Sequence, residues 1–244
     1  MCAKIVKTYY NRIMTIQNAK YIHFIGIGGI GTSSLAQILF HQNKKISGSD
    51  FSASEITKSL AKKGLKIFIG HDKKHITKKH QLVIYSPAIP ESNPELIQAK
   101  KLKIKTISYP QALGELSKDY FTIAIAGTHG KSTTTALTAL SLIEGDLDPT
   151  VVIGTKLREF KNQNYRIGKS KYLVVEACEY KRAFLNLHPN ILVITNLEAE
   201  HLDYYKNLQD YKMAFQQLCE KVPKTGGIII NKKDKNSVDV SKKS

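Results

Sequence analysis

From residue 21 onward, short apolar runs alternate with stretches whose apolar positions recur at helical spacing. The segments 21–25, 45–49, 66–69, 82–85 and 103–107 have the length and β-branched or aromatic content of strands. Between them, Leu35, Ile38 and Leu39 share one helical face. Ile56 and Leu60 share another, in a helix expected to end near Gly64. Such alternation predicts a parallel α/β sheet. A more polar stretch, 114–119, precedes a new apolar run at 121–126, which places a domain boundary close to Lys118 and divides the chain into units 1–118 and 119–244. The second unit restarts the pattern, with a helix over 132–142 and strands at 150–153, 172–176, 191–195 and 227–230. A helix presenting Tyr211, Phe215 and Leu218 on one face precedes the last strand. The closing segment, 231–244, is polar and rich in Lys, Ser and Asp, and is expected to be a frayed end or a linker.

Two glycine-bearing loops stand out against this pattern. Gly26, Gly28 and Gly31 form G-x-G-x-x-G between the first expected strand and the first expected helix, the context in which that spacing has meaning. A tight turn and close backbone approach leave no room there for a Cβ, and the helix N-terminus offers free N–H groups to a pyrophosphate. Asp50 closes the next strand about 20 residues on, where a carboxylate commonly accepts hydrogen bonds from a ribose. NAD, FAD and a UDP-sugar would all satisfy this physics.

The second loop is Gly127, Thr128, His129, Gly130, Lys131 and Ser132, placed after an apolar strand and before a helix that continues with Thr133. It departs from the eight-residue nucleotide-triphosphate loop, because Ile125 stands where the first glycine would be. Its working parts are present: backbone N–H groups to cradle phosphates, Lys131 to reach terminal phosphoryl oxygens, and the Ser132 hydroxyl to bind magnesium. Glu176 ends another apolar strand, where an acid can hold a hard cation, although alone it would more often be a solvated strand end. His201 and Asp203 follow the 191–195 strand; a lone histidine there would more often be packed or exposed than a metal ligand.

Composition narrows the classes without choosing among them. The 244 residues are 42% hydrophobic, enough for packed cores, and the apolar runs are far shorter than the roughly 20 residues of a membrane span. The first twenty residues lack the apolar stretch of a secretory signal, and Cys2, Cys178 and Cys219 have no disulfide-framework spacing, so a reducing cytoplasmic setting is expected. The net charge of +17 comes almost wholly from lysines spread through every segment. That distribution argues for a solvated basic surface that attracts anionic nucleotides, not for a nucleic-acid interface.

Five strings, HFIGIGGIG at 23–31, SGSD at 47–50, GTHGKSTTT at 127–135, EACE at 176–179 and TNLEAEHLD at 195–203, together resemble the Mur ligase family. Their order and spacing span almost the whole chain. The resemblance implies a Rossmann-like N-terminal domain that binds a UDP-sugar, then a P-loop-type central domain that binds ATP. It displaces NAD as the expected ligand of the first loop. Carried over by position, it assigns Gly28, Gly29 and Ile30 to the UDP pyrophosphate and Asp50 to the uridine side. It gives loop 127–133 and Asn196 to ATP, with Lys131, Glu176 and His201 catalytic, and Ser132, Glu176 and His201 as Mg²⁺ ligands. The implied reaction is ATP-dependent ligation of L-alanine to UDP-N-acetylmuramic acid through an acyl phosphate, in peptidoglycan precursor synthesis. Cys178 and Glu200 stand where the family usually has Asp. The resemblance also implies a C-terminal amino-acid-binding domain absent from this sequence. The chain is therefore expected to be an incomplete form, a non-catalytic UDP-sugar/ATP-binding fragment, or one part of a split ligase with a separately encoded C-terminal half.

Overall fold

The computed structural model describes residues 14–242; Cys2 and the rest of the first thirteen residues, and the last two of the tail, lie outside it. The chain begins with β1 (Tyr21–Ile25), α1 (Ile30–His41), β2 (Lys45–Asp50), α2 (Glu55–Lys62), β3 (Lys66–Ile69), β4 (Leu82–Tyr85), α3 (Pro94–Lys101), β5 (Lys105–Ser108) and α4 (Tyr109–Ser117). These strands form one parallel sheet in the order β3-β2-β1-β4-β5, so the order reverses beside β1, where an α/β sheet opens a crevice for ligands.

The second unit runs β6 (Phe121–Ala126), α5 (Lys131–Glu144), β7 (Thr150–Leu157), β8 (Gln163–Arg166), β9 (Tyr172–Glu176), β10 (Ile191–Ile194), α6 (Leu208–Cys219), β11 (Gly227–Ile230) and α7 (Lys235–Ser241). Its sheet has the order β11-β10-β6-β9-β7-β8 and is parallel except for the β7–β8 hairpin. Strand β6 is central, so the loop after it lies between the carboxyl ends of β9 and β10. Those ends carry Glu176 and Asn196, which explains how residues far apart in sequence meet at one loop.

Local chemistry accounts for elements that the hydrophobic pattern does not announce. Helix α3 starts at Pro94, with Asn93 Oδ1 accepting from the Glu95 and Leu96 N–H groups at 2.9 and 3.2 Å. Helix α4 opens with a capping box between Ser108 and Gln111. The polar stretch read at 114–119 is therefore largely the end of a helix, and the chain changes sheet between Ser117 and Phe121. The expected strand at 103–107 begins later, at Lys105, because Lys103 is left-handed (φ 56°).

The tail requires a correction. Residues 235–241 are helical, not frayed, because Asp234 accepts from the Asn236 and Ser237 N–H groups and Val240 is fully buried. Asp234 also accepts from the Leu197 N–H at 2.9 Å, and the Asn236 amide donates to the Leu197 carbonyl at 2.8 Å. The tail thus pins the loop that carries Asn196 and His201.

The two units are fastened together beside the first loop. Asn164 on β8 donates to the Ile30 carbonyl at 3.0 Å, and the Tyr165 hydroxyl donates to Gln37 Oε1 on α1 at 2.6 Å. One apolar core cluster includes residues of both units, from Ile22 and Leu116 to Leu173 and Phe215.

Candidate functional site

In the first loop, the Gly26 and Ile27 N–H groups both donate to the Ser49 carbonyl, at 2.9 and 3.0 Å, which ties the turn to the end of β2. Gly26 is left-handed at φ 78°, a conformation that favours glycine. The Thr32 hydroxyl reaches back to the carbonyls of Gly26 and Gly29 at 2.7 and 3.0 Å. Helix α1 then begins at Ile30 without a side-chain cap, so its N-terminal donors are left for an anion. Gly31 serves packing, since a Cβ there would fall 2.5 Å from the Tyr109 ring. Asp50 accepts from the Gly28 N–H at 2.7 Å, which ties the loop to the end of β2 a second time.

Beneath this loop lies a buried polar layer that the sequence reading missed. Glu95, with no exposed side-chain surface, accepts from the Ser49 hydroxyl, from His75 Nδ1 at 2.5 Å and from the Asp72 N–H at 3.3 Å. His23 Nε2 and His71 Nδ1 stand 3.5 Å from the same carboxylate. Burial pushes the Glu95 carboxyl up, but these donors outweigh it and hold it at about 2. The only sequence signal is the Glu that follows Asn93 and Pro94, which by itself reads as a helix first-turn acid.

The second loop is held by Thr128 and Asn196, residues to which the resemblance assigns nucleotide contacts. The Thr128 N–H donates to the Asn196 carbonyl at 2.9 Å, and the Thr128 hydroxyl exchanges hydrogen bonds with the Glu198 backbone and Tyr211. The Asn196 side chain is occupied at both ends, accepting from the His129 N–H at 3.0 Å and donating to its carbonyl at 2.9 Å. Gly127 lies at φ 137° against Thr195, and Gly130 at φ 77° forms the uncapped start of α5. His129 and Thr133 are exposed at the loop rim.

Two clusters flank the head of α5. On one side, the Ser132 hydroxyl donates to Glu176 Oε1 at 3.1 Å, while the Gly154 N–H donates to Glu176 Oε2 at 2.8 Å. On the other, Lys131 Nζ donates to the carbonyls of Gly127 and Thr128 at 2.8 and 2.9 Å and to Glu179 Oε1 at 2.8 Å. All three ammonium donors are thereby used. His201, left-handed at φ 55°, places Nε2 3.4 Å from Glu179 Oε1 and 4.0 Å from Glu200 Oε2. The resemblance groups His201 with Ser132 and Glu176; the fold brings His201 to Glu179 and Glu200.

Among the described residues, Glu179, Glu200 and His201 have ligand atoms all within 4.8 Å of one another. One oxygen of each carboxylate is buried without a hydrogen-bond partner. Two orphaned oxygens beside an imidazole form a donor set that fits a hard divalent cation. Ser132 with Glu176 forms a second oxygen pair able to hold such an ion.

Two family descriptions match the chain in succession, "Mur ligase family, catalytic domain" over residues 21–121 and "Mur ligase middle domain" over residues 125–244. The chain belongs to the Mur ligase family. This Mur ligase chain is 46% identical over 226 residues to the UDP-N-acetylmuramate--L-alanine ligase of Clostridium novyi, covering 92% of this chain and 49% of that protein. The crystal structure of UDP-N-acetylmuramate-alanine ligase MurC from Thermotoga maritima is similar at a TM-score of 0.80 and 31% identity, covering 91% of this chain and 51% of that one. A UDP-N-acetylmuramate:L-alanyl-gamma-D-glutamyl-meso-diaminopimelate ligase from Neisseria meningitides is similar at a TM-score of 0.84 and 27% identity, covering 92% and 75%. The chain spans about half the length of the curated relatives it matches. No helix among the described residues is long and apolar enough to cross a membrane.

Proposed function

We propose that this chain supplies the UDP-sugar and ATP sites of a ligase that joins L-alanine to UDP-N-acetylmuramic acid in peptidoglycan precursor synthesis. The observation that carries the reading is the pairing of two phosphate loops at the carboxyl ends of two joined parallel sheets, with Ile30 of the first held by Asn164 of the second unit. Units 1–118 and 119–244 are the proposed UDP-sugar and ATP domains. Gly28, Gly29 and Ile30 offer backbone groups to the UDP pyrophosphate. Asp50 releases the Gly28 N–H and turns to the uridine side.

In the second unit, Lys131 leaves Glu179 for the terminal phosphoryl oxygens, and loop 127–133 wraps the phosphate chain. The γ-phosphoryl group passes to the lactyl carboxylate, forming an acyl phosphate and ADP. The alanine amine then attacks the acyl carbon, a proton leaves the amine, and inorganic phosphate departs. No nucleophilic side chain is needed, because the protein positions substrates and stabilises charge. Ser132 with Glu176, or His201 with Glu179 and Glu200, would hold magnesium, which would supply positive charge against the phosphates. Handling of L-alanine is assigned to the half of the relatives' length that this chain does not span. Free thiols at Cys178 and Cys219 accord with a cytoplasmic setting.

The test is calorimetry with UDP-N-acetylmuramic acid against NAD. The unaltered chain is expected to bind the UDP-sugar in preference. Gly28→Val should weaken that binding at least about tenfold, because a Cβ at Gly28 would lie 2.8 Å from Asp50 Oδ2 and obstruct the backbone approach. Tighter binding of NAD would sink the reading.

A further inference from the structure

In the first sheet every connection between successive strands contains an α-helix except the one from β3 to β4, where residues 70–81 form only the 3-10 turn Lys73–His75. The sheet is left without helical cover at the amino ends of β1, β2 and β3, and a cavity of about 600 Å³ opens there. Its floor includes Tyr21, Ser47 and Phe68, with Phe68 stacked on His75 at 4.0 Å and 13°. Strand β1 has 5 residues and the first phosphate loop follows its other end, so at about 3.3 Å per residue roughly 16 Å of strand separates the two places.

The charge around this cavity is one-sided. Lys45, Lys66, Lys74, Lys78 and Lys79 line it, and no Asp or Glu does. Among the described residues none of these lysines has an ion-pair partner, and the sequence of residues 1–13 contains no Asp or Glu to supply one. Of the two lining histidines, His75 is engaged by the buried Glu95 carboxylate at 2.5 Å, and His80 adds no charge at neutral pH. His80 Nδ1 accepts from the Thr77 N–H at 3.1 Å, leaving its Nε2 hydrogen for the Ser47 hydroxyl at 3.2 Å. Burial first, with His23 and Lys66 adding to it, pushes His80 down to about 4. Like charges gathered in a concavity repel one another and raise the local concentration of anions. The floor meanwhile offers the ring of Tyr21, a residue 40% exposed, and that of Phe68, over which Lys66 Nζ stands 5.1 Å from the centroid; a bare inorganic ion would not use such surface.

We propose that this cavity binds an organic phosphate, its phosphate oxygens on the rim lysines and its apolar or planar body against Tyr21 and Phe68. The ligand differs from the UDP-sugar in place, and the inference stands whether or not the proposed ligase function does. A free nucleoside phosphate and a phospholipid headgroup share this chemistry, and the experiment separates them.

The full chain is titrated with AMP in chelator while amide chemical shifts are followed. It is also sedimented with vesicles of phosphatidylglycerol or of phosphatidylcholine. For a free nucleotide, AMP moves the amides of residues 66–80, and affinity falls at least about tenfold in Lys66→Gln/Lys78→Gln and declines with added salt. For a lipid headgroup, only phosphatidylglycerol vesicles carry the protein down, and the same double variant abolishes it. Both lysines are exposed and make no catalytic contact, so melting of the variant should match the unaltered chain. If AMP moves amides only at the two phosphate loops and neither vesicle binds, or if binding of either probe survives the double substitution, the proposal is overturned.

Discussion

Exchange of Lys131 for alanine is expected to weaken magnesium-ATP binding at least about a hundredfold and, as a separate effect, to destabilise the second unit. The first loss follows from two charge-assisted hydrogen bonds to phosphate at roughly 1.5–3 kcal/mol each, where about 2.7 kcal/mol is a hundredfold. The second arises because Glu179 is 1% exposed and Lys131 Nζ lies 2.8 Å from its Oε1. Removing one partner of such a buried pair leaves an uncompensated carboxylate, at a cost of about 3–5 kcal/mol. The double variant Lys131→Ala/Glu179→Gln separates the effects: it should recover most of the stability and none of the ATP affinity. Calorimetry and thermal melting of the three proteins decide the matter. An ATP affinity in Lys131→Ala within about twofold of the unaltered chain would assign the loop a structural role only.

Lys131 was legible in the sequence because its chemistry depends on neighbours four residues away, in a loop whose glycines and flanking strand are also local. The strands other than β8 were legible for the same reason, since a run such as Phe121–Ala126 carries its burial in its own composition, whereas the polar run of β8 pairs only as the return of a hairpin with β7. Glu179 was not. Its neighbour Glu176 already ended a strand, and nothing local says that the chain turns through left-handed Lys181 and Arg182 and buries the second acid under Lys131 and His201. Thr128 and Asn196 sit at positions where the resemblance implies ATP contacts, yet their side chains here brace the loop from within. The sequence groups these residues at one loop without separating those whose side chains are free at its rim from those that shape the turn. Helices α4 and α7 were missed although their caps, Ser108 with Gln111 and Asp234, were in view; their apolar faces are short and filled mainly by contacts with other elements.

The buried acid Glu95 gives the most demanding test of the first unit. Glu95→Gln is expected to lower its stability at pH 7 by about 3 kcal/mol, because an amide turns an NH₂ group toward donors from Ser49, Asp72 and His75 and leaves part of that set unpaired. The effect should change with pH in a definite direction. Glu95 is held at about 2, below its ordinary value near 4.5, so its contribution is complete above pH 4.5 and disappears as the pH falls toward 2. His23 and His80 are held below 6.5, chiefly by burial, so the unfolded chain takes up protons that the folded one refuses. Stability therefore begins to fall as the pH drops below 6.5, and for His80 this continues to about 4. The unaltered unit should lose stability in two stages, the histidine stage and then the carboxylate stage, whereas Glu95→Gln should keep the first and lack the second. UDP-sugar affinity should also fall several-fold, since the Ser49 carbonyl that anchors Gly26 and Ile27 belongs to the residue whose hydroxyl Glu95 holds. Amide hydrogen exchange of β1 and β2, followed between pH 7 and pH 3, reads the stability of this unit apart from the other. Parallel profiles for the two proteins below pH 4.5 would show that the carboxylate is not the group that titrates.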